Sequence, residues 1–366
     1  MQNLIEDILY DRRTDKATLL LRAFLRILES GYSAITSIRN FMYNKNIFKT
    51  RNVPCRVISI GNLTVGGTGK TPTVVMTAKM LIKAGYTLAV ISRGYRGKTK
   101  TPMIVSDGSE IKASSVETGD EARIIAHELP GVPVVVSKNR YRGARLAYER
   151  FRPRIILLDD AFQHRRLFRN VDILTMDAEN PLGNEHLLPR GILRESPFEI
   201  KRAHAVIITR FRDELKKDML ERTVRHHNRN VPVFWSRHVP SGLRKPGSMD
   251  RISLDIVRGK KIAALSNIVN PHSFHRMLES LESEIVYKKI MPDHYRYSSQ
   301  ELESIENDAC DAGSEILVMT AKDERNLPEY PSVETIETLV LDIKAVLIED
   351  EDKYFEIIKP SAELRT

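Results

Sequence analysis

Short apolar runs alternate with longer amphipathic stretches along most of the chain. The runs are almost continuously apolar, which is typical of strands that are covered by helices on both faces. The candidate strands are 56–60, 87–91, 132–136, 155–158, 172–175 and 205–208, followed by a second set at 261–265, 285–290 and 316–320. This alternation predicts an α/β fold with a mostly parallel sheet.

Residues 17–43 form a long amphipathic helical pattern. Polar side chains recur on one side, namely Arg22, Arg26, Glu29, Ser33, Thr36 and Asn40. Large apolar side chains occupy the other, namely Leu20, Leu21, Phe24, Ile27, Leu28, Ile35, Ile38 and Phe41. Residues 16–51 contain seven basic side chains and one acidic side chain. Such a helix suits the surface of an anionic bilayer, but amphipathicity fits packing on the protein core equally well.

Composition narrows the classes of protein. A chain of 366 residues with 42% hydrophobic and 29% charged residues is an ordinary globular sequence, and it has no apolar run of the ~20 residues that a spanning helix needs. Two cysteines, Cys55 and Cys310, exclude a disulfide framework. The amino terminus shows no signal-peptide pattern, so we expect a reducing, cytoplasmic setting. The net charge of +9 indicates an acidic partner: nucleic acid, anionic membrane or phosphorylated substrate.

A second basic stretch is most simply a solvated helix face, and the alternative is contact with anionic lipid or a diphosphate. It comprises Lys138, Arg140, Arg142, Arg145, Arg150, Arg152 and Arg154. The aromatic interleaving that is typical of single-strand nucleic-acid binding does not accompany it. We therefore expect no nucleic-acid partner, and nothing in the pattern indicates an obligate protein partner.

A glycine-rich segment between a strand and a helical pattern carries the sharpest signal. It comprises Thr64, Val65, Gly66, Gly67, Thr68, Gly69, Lys70 and Thr71, and Pro72 follows. This is the context of a P-loop, whose backbone N–H groups cradle phosphates. Lys70 would contact the β- and γ-phosphates of ATP, and the Thr71 hydroxyl would bind Mg²⁺. The match is imperfect, because Thr64 stands where the first glycine of the motif belongs.

Carboxylates occur where a P-loop protein needs them. Asp159 and Asp160 end an apolar strand, which is the usual place for a carboxylate that holds the metal. Asp120 and Glu121 follow Thr118 and Gly119 at a loop-to-helix junction. The metal candidates are therefore Thr71, Asp159, Asp160 and Glu121, and Asp120 is a candidate general base for an attacking hydroxyl.

The remaining motifs give the chain a specific resemblance. They comprise 92–95 (SRGY), 159–166 (DDAFQHRR), 180–184 (NPLGN), 187–195 (LLPRGILRE), 270–271 (NP), 293–295 (DHY) and 320–323 (TAKD). Together with the P-loop, they closely resemble the tetraacyldisaccharide 4′-kinase family. The resemblance is dense over residues 55–200 and continues in order to about residue 325.

The resemblance implies a reaction, a location and roles for particular residues. The reaction transfers the γ-phosphate of ATP to the 4′-hydroxyl of a tetraacyldisaccharide 1-phosphate at the cytoplasmic face of the bacterial inner membrane, and the lipid product is lipid IVA. The resemblance implies that Asp120 is the base, that His294 supports this base, and that Lys70 stabilises the transferring phosphoryl group. Substrate contacts are implied for Arg93, Tyr95, Gln163, His164 and Arg194.

Three positions depart from the family pattern. Ala161 replaces a glycine, Arg190 replaces a small residue, and Tyr295 stands where many members have a second histidine. The changes leave the chemistry-bearing residues intact.

The predicted organisation has two α/β/α domains. Residues 1–50 hold the amphipathic helix of the first domain, residues 51–238 form a P-loop kinase core, and residues 239–366 form a smaller α/β domain. The segment 239–248, rich in proline, glycine and charge, is predicted to be a boundary loop or domain junction, with the change of domain near residue 238. Two alternatives use the same P-loop: a nucleotide switch or metallochaperone-type NTPase, and a nucleic-acid-binding ATPase that only the charge suggests.

Overall fold

The chain folds into two compact units. The structure is a computed structural model. It describes residues 16–95, 97–113, 115–248, 250–268, 271–292, 295–328 and 335–360. The first unit comprises Met1–Arg237 and Ala345–Thr366, and the second comprises His238–Lys344.

The first unit contains a sheet with helices on its two faces. Its strands are β1 (Arg56–Gly61), β2 (Leu88–Ser92), β3 (Met103–Ser106), β4 (Val134–Val136), β5 (Ile155–Asp159), β6 (Val171–Asp177), β7 (Ala205–Thr209) and the start of β8 (Val233–Arg244). Its first six helices are α1 (Lys16–Asn44), α2 (Lys70–Lys83), α3 (Ser115–Thr118), α4 (Asp120–Glu128), α5 (Arg140–Phe151) and α6 (Lys217–His227).

In the order of these strands, β1 lies where the chain changes from building one side of the sheet to building the other. The order is β8-β7-β6-β1-β5-β2-β4-β3, and the pairings are parallel except for that of β3 with β4. The chain fills the β2 side first, returns through β5, and then continues through β6 on the other side of β1. Ligands of open α/β sheets bind outside the carboxyl ends of the strands at such a point.

The central strands are buried on both faces, as their apolar sequences predict. In β5 the whole strand is buried, and β1 is buried from Val57 onward. One apolar cluster lies under α2 and α4, and another lies under α5. This packing fixes the loops that follow β1 and β5, where the charged residues lie.

The second unit is a smaller parallel α/β structure. Its strands, in the order β10-β9-β11-β12, are β9 (Lys261–Ser266), β10 (Glu284–Ile290), β11 (Ile316–Thr320) and β12 (Glu337–Leu347), the last of which leads back into the first unit. Its helices are α7 (Pro271–Glu279), α8 (Ser299–Asp311) and α9 (Ala321–Glu324). Apolar clusters on both faces of the strands form its core.

The nine candidate strands and the mostly parallel α/β fold are confirmed. Three strands escaped the sequence analysis: β3, β8 and β12. The predicted junction loop 239–248 is wrong over most of its length, because β8 continues to Arg244 and buries its last three residues in spite of Pro240 and Gly242. The change of unit falls within this strand.

The carboxyl-terminal part of the chain packs with the first unit, whereas the sequence analysis assigned all of 239–366 to the second. Helix α10 (Glu351–Ile358) buries Tyr354 and Ile358 in the cluster under α2. The Tyr354 hydroxyl lies 2.7 Å from the Thr77 hydroxyl, and the Tyr354 ring meets the Phe234 ring edge-on at 5.3 Å. Because no local pattern reports a contact so distant in sequence, periodicity could not assign α10 to a unit.

Helix α1 packs with its polar side inward. Thr36 and Asn40 are buried, whereas Leu20, Ile27 and Ile35 are 74%, 71% and 68% exposed. The alternative in which the apolar side packs on the protein core is therefore wrong. Within the described residues, no helix is long and apolar enough to cross a membrane.

The role of α10 in the core gives a stability prediction. Tyr354→Ala removes a fully buried ring, so we expect the free energy of unfolding to fall by roughly 3–5 kcal/mol. Tyr354→Phe keeps the ring and removes only the hydroxyl bonded to Thr77, so we expect a loss of about 1 kcal/mol. Urea unfolding of both variants measures the difference, and equal stability of Tyr354→Ala and wild type would contradict the packing of α10.

Candidate active site

The loop between β1 and α2 has the geometry of a phosphate cradle. Gly66 and Gly69 have φ values of 109° and 73°, which are conformations that glycine adopts without strain. Gly69 precedes the first turn of α2, and it has no side chain to cap the amides there. Those amides therefore remain available to an anion.

Neighbouring strands hold this loop through hydroxyl and guanidinium groups. The Thr68 and Thr175 hydroxyls lie 3.0 Å apart, and the Thr209 hydroxyl donates to the Thr68 carbonyl at 2.9 Å. Arg210 donates to the Gly67 carbonyl at 2.6 Å and pairs with Asp177 at 2.5 Å. The cradle is thus fixed from β6 and β7, so its shape is set before a nucleotide binds.

Lys70, Asp160 and Arg194 form a charged cluster behind the cradle. The Lys70 Nζ lies 3.8 Å from the Asp160 carboxylate and donates to the Gly66 carbonyl at 3.2 Å. Arg194 donates to both Asp160 oxygens, at 3.0 and 2.8 Å. Burial alone would raise the pKa of Asp160, but the two cations outweigh it and hold that pKa well below its usual range. Burial lowers the pKa of Lys70, and Asp160 opposes that shift.

Asp159 lies in a different environment from its neighbour. Its side chain is buried and accepts a hydrogen bond from the Ser92 hydroxyl at 3.0 Å, while its Oδ1 is buried without a hydrogen-bond partner. Burial, together with the charges of Glu121 and Asp160, raises the pKa of Asp159 to about 7. A bound cation would offset the cost of ionising this carboxylate.

Arg140 supports both carboxylates from behind. Only 2% of the residue is exposed, and it donates to the carbonyls of Asp159 and Asp160 at 3.0 and 3.1 Å and to that of Ser137 at 2.8 Å. Burial lowers its pKa to about 10, so it remains charged at neutral pH. The prediction that Arg140 belongs to a solvated face is wrong, because α5 begins beside the end of β5 and directs this one arginine inward.

The loop that follows β2 packs against the junction before α4. A Cβ on Gly119 would lie 2.2 Å from the Tyr95 carbonyl, and one on Gly94 would lie 3.0 Å from the Thr118 carbonyl. These close approaches hold the SRGY and TGDE motifs together, and Asp120 opens α4 at this point. The Asp120 side chain and His294 lie outside the described residues, so their roles stay predictions.

The implied substrate residues lie in two groups. Arg93 and Tyr95 are exposed on the loop after β2, whereas Gln163, His164 and Arg194 are partly covered. Gln163 and Arg194 both donate to the Asn62 carbonyl, at 2.8 and 3.3 Å. Burial, together with the charges of four arginines, lowers the pKa of His164 to about 4, so the ring is neutral near pH 7.

Three residues of the site escaped the sequence analysis. Asn62 accepts from Arg194 through its side-chain oxygen as well as its carbonyl, Ser92 bonds Asp159, and Arg140 holds the strand end. Asn62 and Ser92 directly follow or end a buried strand, which is the positional signal that could have found them. Arg140 follows the helix cap Asn139.

The residues present fit a magnesium ion bound together with a nucleotide. The unpartnered Asp159 Oδ1 is an oxygen ligand of the kind that Mg²⁺ prefers, and Thr71, the second residue of α2, adds a hydroxyl in the first turn of the helix. Both Asp160 oxygens are already bonded by Arg194. Among the described residues no group of three or more His, Cys, Asp and Glu side chains could hold a metal.

Helix α1 is anchored to the segment that carries Arg194. The Tyr32 hydroxyl donates to the Arg194 carbonyl at 3.0 Å. The next residue, Glu195, is fully buried and pairs with Arg39, Asn40 and Arg202. The polar side of α1 therefore completes a buried ion-pair cluster beside the site.

Comparisons with known proteins identify the family and the fold. The sequence profile of the Tetraacyldisaccharide-1-P 4′-kinase family matches residues 21–362. A tetraacyldisaccharide 4′-kinase of Syntrophus aciditrophicus (strain SB) is 41% identical over 324 residues, which are 86% of each chain. Another, from Anaeromyxobacter sp. (strain K), is 37% identical and covers 87% of this chain and 85% of its own. The structure of LpxK from Aquifex aeolicus in complex with ATP has a TM-score of 0.72 and 32% identity, and covers 92% and 98% of the two chains.

Proposed function

The chain belongs to the tetraacyldisaccharide-1-P 4′-kinase family, and we propose that the side chains at the carboxyl ends of β1 and β5 carry out its reaction. It is an ATP-dependent kinase that phosphorylates the 4′-hydroxyl of a tetraacyldisaccharide 1-phosphate in lipid A biosynthesis. The fixed phosphate cradle with Lys70, Asp160 and Arg194 behind it supports this assignment of the residues most directly.

Lys70 and the amides of the cradle hold the phosphates of ATP. Phosphoryl transfer depends on positioning and on neutralising the charge of the transferring group, and Lys70 is poised for this because Asp160 fixes its ammonium group. Arg194 is a substrate-binding candidate whose guanidinium is already oriented by Asp160 and Asn62.

Asp159 and Thr71 are the residues we assign to Mg²⁺. Asp159 offers a buried oxygen without a partner, whereas Arg194 occupies both oxygens of Asp160. The charge of Glu121 on α4 contributes to the raised pKa of Asp159, and we assign Glu121 a contact with the ion through water. When bound, the ion neutralises charge on the phosphate oxygens.

Asp120 accepts the proton of the attacking 4′-hydroxyl in this proposal. Its position at the first residue of α4, held by the contact of Gly119 with Tyr95, places it on the same loop cluster as Arg93. His294 supports the base in this proposal, as the family resemblance implies. Gln163 and His164 lie three and four residues after Asp160 and contact the sugar headgroup in this proposal, with His164 acting as a neutral hydrogen-bonding group.

The three departures from the family pattern are compatible with this chemistry. Ala161 is fully buried in the cluster under α5, where its methyl group packs. Arg190 is buried beside α1. The Tyr295 hydroxyl donates a hydrogen bond to the Glu301 carboxylate within the second unit. Tyr295 therefore has a structural contact, and we assign it no catalytic role.

The exposed side of α1 lies on the cytoplasmic face of the inner membrane in this proposal. Large apolar side chains between Leu19 and Phe48 face solvent. The polar side of the helix makes hydrogen bonds and an ion pair with Glu195, His186 and Arg194. Exposed apolar area on this scale marks an interaction surface, and the lipid substrate makes an anionic bilayer its natural partner.

Lys70→Ala tests the transfer site. It removes the cation from the transferring phosphoryl group, so we expect kcat to fall on the order of 10²-fold or more. The matched control is Lys79→Ala. Lys79 is an exposed lysine on the same helix as Lys70 and pairs with Glu128 of α4, so its loss should leave kcat unchanged. The assay follows labelled phosphate from ATP onto the disaccharide. Near wild-type transfer by Lys70→Ala would contradict the site, and label released only as inorganic phosphate would favour a nucleotide switch.

Asp120→Ala and His294→Ala test the proposed base and its support. Neither residue is assigned to nucleotide binding, so each variant should lose kcat strongly and keep its affinity for ATP. Because residues acting as a unit are non-additive, the double variant should be little worse than the poorer single one. Losses that multiply independently would exclude the cooperative pair.

The triple substitution of Leu20, Ile27 and Ile35 by serine tests membrane contact. All three side chains are mostly exposed, so folding should be unaffected, while affinity for anionic vesicles should fall on the order of 10²-fold or more. Serine at Leu215, Met219 and Ile348, which are exposed on other elements, is the control and should bind as wild type does. Charge reversal at Arg39 is a poorer test, because Arg39 pairs with the buried Glu195. Unchanged cosedimentation of the first variant would overturn the membrane assignment.

A further inference from the structure

A surface cavity of about 420 Å³ lies at the amino-terminal end of α5, and none of the residues assigned to catalysis or to substrate binding lines it. Four arginines from three separate segments line it, together with Tyr141 and Glu149: Arg51, Arg142, Arg145 and Arg166. We call it the arginine cavity.

Most of the positive charge in the arginine cavity is uncompensated. Arg145 pairs with Glu149 at 2.6 Å. In the part of the chain that the structure describes, Arg51, Arg142 and Arg166 have no carboxylate partner. Like charges held together in one concave surface repel each other and favour an anion there. Planar guanidinium groups bind phosphate oxygens with two hydrogen bonds at once, so a phosphate group is the anion they suit best.

Backbone hydrogen bonds connect two arginines of the cavity to a segment with an exposed aromatic residue. The Arg51 amide donates to the Arg166 carbonyl at 2.8 Å, and the Phe168 amide donates to the Arg51 carbonyl at 2.9 Å. Phe168 is 49% exposed, so the segment that is hydrogen-bonded to the lining carries an unburied aromatic residue. A free ion would gain nothing from such a ring, whereas a lipid headgroup brings a hydrocarbon surface to it.

The same strip of chain is tied to the carboxyl-terminal end of α1. Arg165 donates to the Asn40 carbonyl at 3.0 Å and to the Asn44 side chain at 2.7 Å, and its guanidinium lies 5.2 Å from the centre of the Tyr43 ring. Ile47 and Phe48, which follow α1, are 57% and 41% exposed. The apolar side of α1 thus continues through these residues toward the arginines.

We propose that the arginine cavity binds the phosphate headgroup of an anionic phospholipid and so forms a second contact with the bilayer. The proposal rests on the membrane contact of α1 proposed above and adds a specific headgroup site to it. The Tyr141 ring is covered by Arg51 at 5.1 Å, so it is not open to the base stacking that a nucleic-acid strand would use.

The test compares two variants that lose the same net charge. R51Q/R142Q/R166Q empties the arginine cavity of its unpaired cations, and R150Q/R222Q/R237Q removes three arginines that are exposed elsewhere on the first unit. On vesicles of phosphatidylcholine with phosphatidylglycerol, we expect the first variant to bind at least about tenfold more weakly than the control. On pure phosphatidylcholine, the two should bind alike. If the triple variant folds poorly, R142Q/R166Q replaces it, because this variant keeps the Arg51–Tyr141 contact. Its affinity for the anionic vesicles should lie between those of wild type and the triple variant.

A titration with soluble ligands separates a lipid from a free anion. Dihexanoylphosphatidylglycerol below its micelle concentration should bind the wild-type chain and not R51Q/R142Q/R166Q, and inorganic phosphate should bind more weakly. Equal losses in the two triple variants, or equal binding of phosphate and the short-chain lipid, would overturn the proposal. So would a raised KM of R51Q/R142Q/R166Q for the disaccharide in phospholipid-free micelles, since the cavity would then serve the substrate.

These outcomes are independent of the function proposed above. If wild type failed to phosphorylate the disaccharide, the kinase residues would be wrong while the vesicle comparison still stood. If serine at Leu20, Ile27 and Ile35 left vesicle binding unchanged, the contact of α1 would be wrong. The short-chain titration would still decide the arginine cavity.

Discussion

The pairing of Asp160 with two cations is the interaction on which the site depends. Asp160 follows β5 in a left-handed conformation (φ 48°), which asparagine and aspartate adopt more readily than most residues. Its carboxylate then meets Lys70 of α2 and Arg194 of a distant loop. Arg140 stabilises this turn through the carbonyls of Asp159 and Asp160. One carboxylate thereby fixes the lysine of the phosphate cradle and a candidate substrate arginine together, and a buried pair of this kind is costly to break.

The two neighbouring aspartates have opposite electrostatic situations, which supports a division of labour. Cations lower the pKa of Asp160, whereas burial and nearby carboxylates raise that of Asp159 to about 7. A carboxylate that is already neutralised by protein cations is a structural organiser. One that is buried with an unpartnered oxygen is the better ligand for an incoming cation. Sequence alone could not separate the two, because they are adjacent and identical.

The sequence pattern predicts the features that depend on neighbouring residues, such as strands and the glycine-rich loop, and it does not predict contacts between distant segments. The strand–loop–helix around Lys70 and the strand that ends in Asp159 were predicted because apolar runs and glycine spacing report them directly. Arg140 was misassigned because its burial depends on where α5 starts relative to β5, which is a long-range property. The amphipathicity of α1 was recognised, but its direction was not: only Glu195 and Glu29, paired across the fold, show that the polar side faces inward. β8 was missed because Pro240 and Gly242 are weak strand formers.

In the function proposed above, the inward polar side of α1 links the lipid surface to the candidate catalytic cluster. A helix that buried its apolar side could be held by nonspecific packing, and small shifts along its axis would cost little. Here the anchors are directional: Tyr32 bonds the Arg194 carbonyl, Asn40 bonds Glu195, and Glu29 bonds the Leu187 amide. The segment that positions Arg194 against Asp160 is therefore the segment that positions the exposed apolar side. A bilayer that binds this side bears on a helix hydrogen-bonded to the substrate-binding loop, so membrane contact and headgroup placement are set by one piece of chain.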